Sequence, residues 1–391
     1  MPAPLAGYRV LDFTRLLPGP MATSTLADLG AELIKIERPP AGDYARHIPP
    51  LQGDSSYLFN QLNRNKQSLA IDFAKPEGRA IILELVKTAH VVVESYRDGV
   101  MRQLGLDYDS LRQYNPTLIY ASLTGYGSAG PWAELAAHDL NVVAISGILE
   151  QSGSSSGPPQ MMNYQIADMT AAQSLTLGIL TALLKRERHG EGSRLTVSML
   201  EAAMTNAPVL LSSHNAFGQP LPRGIDGLAG GLANYNIYPT KDSRYVALAA
   251  LEYKFWERFC DAIECPDLKP RHMSVGADAD TLHDELTDIF LQRSMDEWAE
   301  IGVQHNCCLT PVLRLNEALT HPQVQAMKVA YTVETEAVQA TQFGLPFSLQ
   351  DYAVPLSPAP RLGEHTRQIL EQLNIDANSQ EALMNQQLIL T

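Results

Sequence analysis

The first 124 residues alternate short apolar runs with helical stretches, and that alternation restricts the fold more than any other feature of the chain. "YRVLDF" (8–13) reads as a strand, "GPMATSTLADLG" (19–30) as a helix closed by Gly30, and "AELIKIERP" (31–39) as a second strand stopped by Pro39. "KQSLAIDF" (66–73) is a third strand. "PEGRAIILELVKTA" (76–89) is an amphipathic helix with Pro76 at its start, and "HVVVES" (90–95) and "TLIYASLTGYG" (117–127) add two more strands. Strands separated by crossover helices pair in parallel, which predicts an α/β fold with a doubly wound, Rossmann-like sheet.

The texture then changes. "IADMTAAQSLTLGILTALLKRER" (166–188) has a long helical pattern that Gly190 and Gly192 break, and "RLTVSMLEAAMTNAPVLLSSHNAF" (194–217) continues with mostly helical character. After the glycine- and proline-rich "GQPLPRGIDGLAGGLAN" (218–234), "YNIYPTKDSRYVALAAL" (235–251) reads as a β-hairpin around Lys241-Asp242-Ser243. Helices follow near 252–264 and 280–300. These shifts divide the chain into a large domain over 1–200, a linker over 201–228, a smaller α+β domain over 229–330, and a return to the large domain over 331–391. In the return, "LGEHTRQILEQLN" (362–374) is an amphipathic helix expected to pack on the first domain.

A length of 391 residues fits two or three domains. The formal net charge of -14 disfavours nucleic acid as a partner, so an anionic ligand would have to be held by local basic clusters. Two such clusters stand next to strands: Arg38 ends the second, and Arg64 and Lys66 in "NRNK" precede the third. No unbroken apolar run reaches the roughly 18–20 residues of a membrane helix, and "MPAPLAGYRVLDF" lacks a secretory pattern. Cys260, Cys265, Cys307 and Cys308 have no histidines at metal-ligand spacing, so no metal is expected. Free thiols suit a reducing, cytoplasmic setting. The vicinal Cys307-Cys308 reads as a metal or redox pair, or as two buried strand residues.

Two features carry candidate chemistry. "GYGSAG" (125–130) satisfies G-x-G-x-x-G after a strand, and Glu150 lies twenty residues beyond Gly130. Dinucleotide folds place that motif in the first βα turn, which here is "TRLLPGP", so a glycine loop lining a cleft is the alternative. The second feature is a base and an acid at the heads of two apolar runs: His138 in "LAAHDLNVVAISGILEQSG" and Asp168 in "NYQIADMTAAQ". Taken alone, Asp168 reads first as a helix N-cap and His138 as a satisfied histidine at a helix start, ahead of any catalytic role.

These segments, with "ESYRDGVMRQLGL", "GEGSRLTVSMLEA", "TPV" and "GEHT", follow one another in an order that resembles the family III CoA-transferase and α-methylacyl-CoA racemase group, end to end. The resemblance implies an interlocked homodimer and an acyl-CoA thioester as ligand, with no cofactor beyond that CoA. It implies CoA contacts at Arg38, Arg64, Lys66 and Arg97, and a thioester cleft at Gly125, Tyr126 and Gly127. "HDLN" and "IADMTAA" match the racemase branch, in which His138 and Asp168 would exchange a proton at the substrate α-carbon while Glu252 orients the histidine. The "AGGLANYN" loop with Gly230 and Gly231 also resembles that branch. The transferase branch, with Asp168 as a nucleophile, is the other activity the resemblance allows.

Overall fold

A computed structural model describes residues 3–53, 55–219, 221–334 and 339–391. The chain divides into two compact units, one made of Met1–Ser146, Tyr164–Asn206 and Gln325–Thr391, the other of Gly147–Asn163 and Ala207–Val324. The loop at 147–163, placed in the large domain by the sequence reading, therefore belongs to the second unit. The segment 201–206 belongs to the first.

The first unit is organised by a sheet of β1 (Arg9–Phe13), β2 (Glu32–Glu37), β3 (Gln67–Ile71), β4 (Val91–Glu94), β5 (Ile119–Thr124) and β6 (Ser193–Ser198). They lie side by side in the order 3-2-1-4-5-6, all parallel, and Ile389–Leu390 adds an antiparallel edge against β3. This is the order in which ligands bind at the carboxyl ends of the strands, where the winding reverses between β1 and β4. Strand β6 corrects the helical reading of 194–198. Its side chains alternate, and it pairs along its length with β5, so a period of two outweighs the helical run that follows.

Alternation along the strands also sorts the two faces. Leu11, Phe13, Ile34, Ile36, Leu69, Ile71, Val92 and Tyr120 join a core built with helix α2 (Pro76–Val86) and the C-terminal helix Thr366–Gln372. Helix α1 (Pro18–Asp28) packs instead with the 24-residue helix α4 (Ile166–His189), which also meets β5 and β6. Gly178 of α4 sits so close to Leu195 that an added Cβ would lie 2.7 Å from its Cδ2. By length and composition alone α4 could cross a membrane, a candidate that the sequence count missed because Gln173, Ser174, Thr176 and Thr181 interrupt the apolar run. Ala167, Ala171, Ala172, Leu175 and Ile179 are buried, so the helix presents a face to the protein interior.

The second unit holds the hairpin Tyr235–Pro239 and Tyr245–Ala249, extended by Leu309–Pro311 into a three-stranded antiparallel sheet. Its core stacks Tyr238, Phe259 and Phe290, with Trp256 and Trp298 fully buried beside them.

Candidate active site

The site starts at the end of β5. Gly125 follows that strand, and a Cβ there would fall 2.4 Å from the Cβ of Ala137, so glycine allows the 137–139 segment to close over the strand end. Gly127, at φ +99°, continues the turn and donates its N–H to Thr124 Oγ1 at 3.1 Å. Tyr126 packs edge-on against Trp132. The glycine loop thus delivers His138 to the N-cap of the seven-residue helix α3 (Asp139–Ile145). There the Asn141 side chain accepts the His138 N–H at 3.2 Å, which gives the last residue of "HDLN" its role.

Asp139 does something the sequence did not disclose. Its Oδ1 accepts the backbone N–H of Ala167 at 2.7 Å and of Asp168 at 3.2 Å, so a side chain of α3 caps the start of α4. One carboxylate therefore ties position 139 to position 168, and His138 is its chain neighbour. Asp168 is not the N-cap residue; it lies in the first turn of α4, half-buried. Burial pushes its carboxyl up to about 7, and the neighbouring Asp139 carboxylate adds to the rise. Asp139 thus takes the N–H groups of both Ala167 and Asp168. The next, of Met169, donates to Gln165 O.

Two of the cationic candidates are framework residues rather than ligand contacts. Lys66 is fully buried. Its ammonium donates to Asp12 Oδ2, Pro20 O, Thr23 Oγ1 and Asn63 Oδ1 at 2.8–3.1 Å, which leaves no donor for a phosphate. Arg64 is buried and spends its guanidinium on Asp28 and Gln342. Sequence position beside a strand end suggested exposure, whereas both side chains run inward under α1. Arg38, in contrast, is exposed, pairs with Asp72 at 3.0 Å and lies over the Phe73 ring. Arg97 is exposed on the turn after β4.

At the switch point itself the sequence reading overlooked Arg15. Its N–H donates to Ser95 Oγ at 3.1 Å, and its guanidinium stands 4.4 Å from the Tyr96 ring and 5.1 Å from the Tyr44 ring. The signal was its place two residues beyond β1, next to Thr14. Glu252 belongs to the second unit, where it is the exposed N-cap residue of helix Tyr253–Ala262 with Cys308 nearby. Met161 and Met162 are exposed in that unit's 147–163 loop. Among the described residues no group of three or more His, Cys, Asp or Glu side chains is arranged to hold a metal ion.

Comparison with known proteins matches residues 5–366 to CoA-transferase family III, and the chain belongs to that family. It is 32% identical to the human α-methylacyl-CoA racemase over 371 residues, covering 94% of this chain and 93% of that one. It is 34% identical to the acetyl-CoA:oxalate CoA-transferase of Acetobacter aceti over 329 residues, covering 83% and 84%. Among solved structures, a CaiB/BaiF family protein from Brucella suis superposes with a TM-score of 0.84 at 27% identity, covering 95% of this chain and all of that one. The chain is thus an enzyme of the family III CoA-transferase and racemase group, whose relatives at similar identity include both kinds of activity.

Proposed function

We propose that the protein is an acyl-CoA racemase that inverts the α-carbon of a 2-methylacyl-CoA by 1,1-proton transfer. The observation that supports this best is the tie through Asp139, which sets a histidine and a carboxyl group raised to about 7 at adjoining helix starts. An α-proton next to a thioester is weakly acidic, so its removal needs a base whose proton affinity suits neutral pH. Asp168 takes that proton and leaves an enolate. His138, protonated, returns a proton to the opposite face, and the reverse reaction exchanges the two roles. A base and an acid so placed each contribute on the order of 10²–10⁴-fold. Glu252 orients the imidazole in this reading, brought to it in an interlocked homodimer. Arg38 and Arg97 contact CoA, and the turn of Gly125, Tyr126 and Gly127 borders the thioester. A reducing, cytoplasmic setting belongs to the same reading.

The oxalate transferase among the relatives favours a second reading, in which the Asp168 carboxylate attacks the thioester and CoA passes to another carboxylic acid. The two differ in what they require. A racemase converts a single 2-methylacyl-CoA epimer to both epimers with no free acid present and takes solvent deuterium into the α-position. His138→Ala abolishes that inversion. Turnover only in the presence of a free carboxylic acid, with His138→Ala nearly as active as the parent, would establish the transferase.

A further inference from the structure

In the second unit, each of the three residues before Glu252 is gripped by a different segment. The Ala249 N–H, at the end of strand Tyr245–Ala249, donates to Cys308 O at 2.9 Å. Ala250 is held on both sides by Asn234, whose backbone O accepts the Ala250 N–H at 2.9 Å and whose Nδ2 donates to Ala250 O at 2.8 Å. Leu251 O lies 2.7 Å from His272 Nε2. A carbonyl only accepts, so that ring nitrogen carries the proton. The same ring stands edge-on to Tyr253, with centroids 5.6 Å apart, so His272 reaches both chain neighbours of Glu252.

These grips are themselves anchored. His272 follows the short helix Pro266–Arg271, and the Trp256 indole of helix Tyr253–Ala262 donates to Leu268 O and Lys269 O within it. Asn234 is 1% exposed, and its Nδ2 also reaches Met273 Sδ at 3.7 Å. The Asn234 Oδ1 is buried with no partner among the described residues, a cost to stability that an apolar residue of similar size would not carry. Glu252 itself is the N-cap residue of its helix, yet its side chain makes no capping bond. Its carboxylate acts instead on Cys308: burial raises that thiol, the Glu252 charge adds to the rise, and Lys254 and Arg258 oppose it.

We infer that His272, backed by Asn234 on the preceding turn, is a positioning residue that fixes the Glu252 carboxylate in one place. The inference deepens the proposed racemase function and rests on it for the purpose of the hold, since a carboxylate that orients an imidazole must itself be held.

Cys308 reports on the carboxylate without any substrate. Alkylation of the full-length protein by iodoacetamide across a range of pH, followed at Cys308 by peptide mass spectrometry, gives the midpoint of its thiol, because the thiolate is the nucleophile. Glu252→Gln lowers that midpoint. His272→Phe, which keeps a ring against Tyr253 but cannot donate to Leu251 O, lowers it too, as does His272→Ala. The double variant with Glu252→Gln and His272→Phe has the midpoint of Glu252→Gln alone, because His272 acts through the carboxylate. His272→Gln, whose amide can donate to Leu251 O, keeps the parent midpoint. In the racemase assay His272→Phe lowers kcat about 10–100-fold with KM for the acyl-CoA unchanged, and His272→Gln recovers most of it.

A midpoint unmoved in Glu252→Gln or in His272→Phe overturns the inference, and so does an equal further fall when His272→Phe is added to Glu252→Gln. A lowered midpoint in a His272→Phe enzyme with the parent's kcat overturns it as well. A parent that exchanges no α-proton, with midpoints that behave as stated, removes the racemase reading and leaves the hold on Glu252 standing.

Discussion

Two groups of buried acids lie in the first unit, and their surroundings drive them in opposite directions. Under the turn after β1, Asp12 meets Lys66 at 3.1 Å and accepts from Thr14 and Thr23, while Lys35 meets Asp43 at 2.8 Å. Burial there would raise the Asp12 carboxyl, but Lys66 and Lys35 outweigh it and hold it down at about 2. Lys66, penalised by burial and by the nearby Lys35, falls to about 8 in spite of Asp12. At the start of α4, Asp168 is also desolvated, yet its charged neighbour is another acid, Asp139, and it rises to about 7. The first arrangement consumes every charge in the fold. The second leaves one unmatched, which is the condition for moving protons near neutral pH.

The most damaging way to break that contrast is to remove an acid from the matched set. Asp12→Ala leaves the Lys66 ammonium buried beside Lys35, at a cost of about 3–5 kcal/mol, read by denaturant unfolding. Asp168→Asn is the complementary change. Activity falls about 10²–10⁴-fold, while the unfolding free energy at pH 8 holds or rises. Linkage gives the two regions opposite pH slopes. Asp12 titrates at about 2 when folded against 3.8 for a free aspartate, so its contribution is present above about 4 and is lost as pH falls toward 2. Asp168 has a folded value above 3.8, so stability is lost as pH rises from about 4 through 7, and Asp168→Asn flattens that part of the curve.

A finer test separates Asp139 from Asp168. Asp139→Asn keeps an oxygen for the Ala167 and Asp168 N–H groups but removes the charge, so the pH midpoint of activity moves to lower pH with kcat largely retained. The smallest effect is expected at Arg38. Its side chain is 53% exposed, and an exposed ion contact is worth roughly 1 kcal/mol or less, so Arg38→Ala raises KM for acyl-CoA a few-fold and leaves kcat alone.

What the sequence disclosed follows from how far each signal reaches along the chain. The β1-to-β5 alternation and the hairpin at 235–249 are local patterns, and the structure forms strands at each of them. Strand β6 was lost because its six residues are followed at once by the helix Met199–Thr205. His138 and Asp168 were conspicuous as a base and an acid at the heads of apolar runs. The bond that relates them was not, since Asp139 reaches across 28 and 29 positions and resembles an ordinary helix-start acid. Arg64 and Lys66 failed for a related reason: the sequence shows charge beside a strand, while burial is decided by α1 packing over them from 36 to 46 positions away.

The account depends most on the unmatched carboxyl at 168, and the pH dependence of α-proton exchange tests it most directly. With a 2-methylacyl-CoA in D₂O and no carboxylic acid acceptor, deuterium should enter the α-position at a rate that rises with pH through a midpoint near 7, and Asp168→Asn should abolish it. Absence of exchange at every pH, or a profile that Asp168→Asn leaves unchanged, would contradict it.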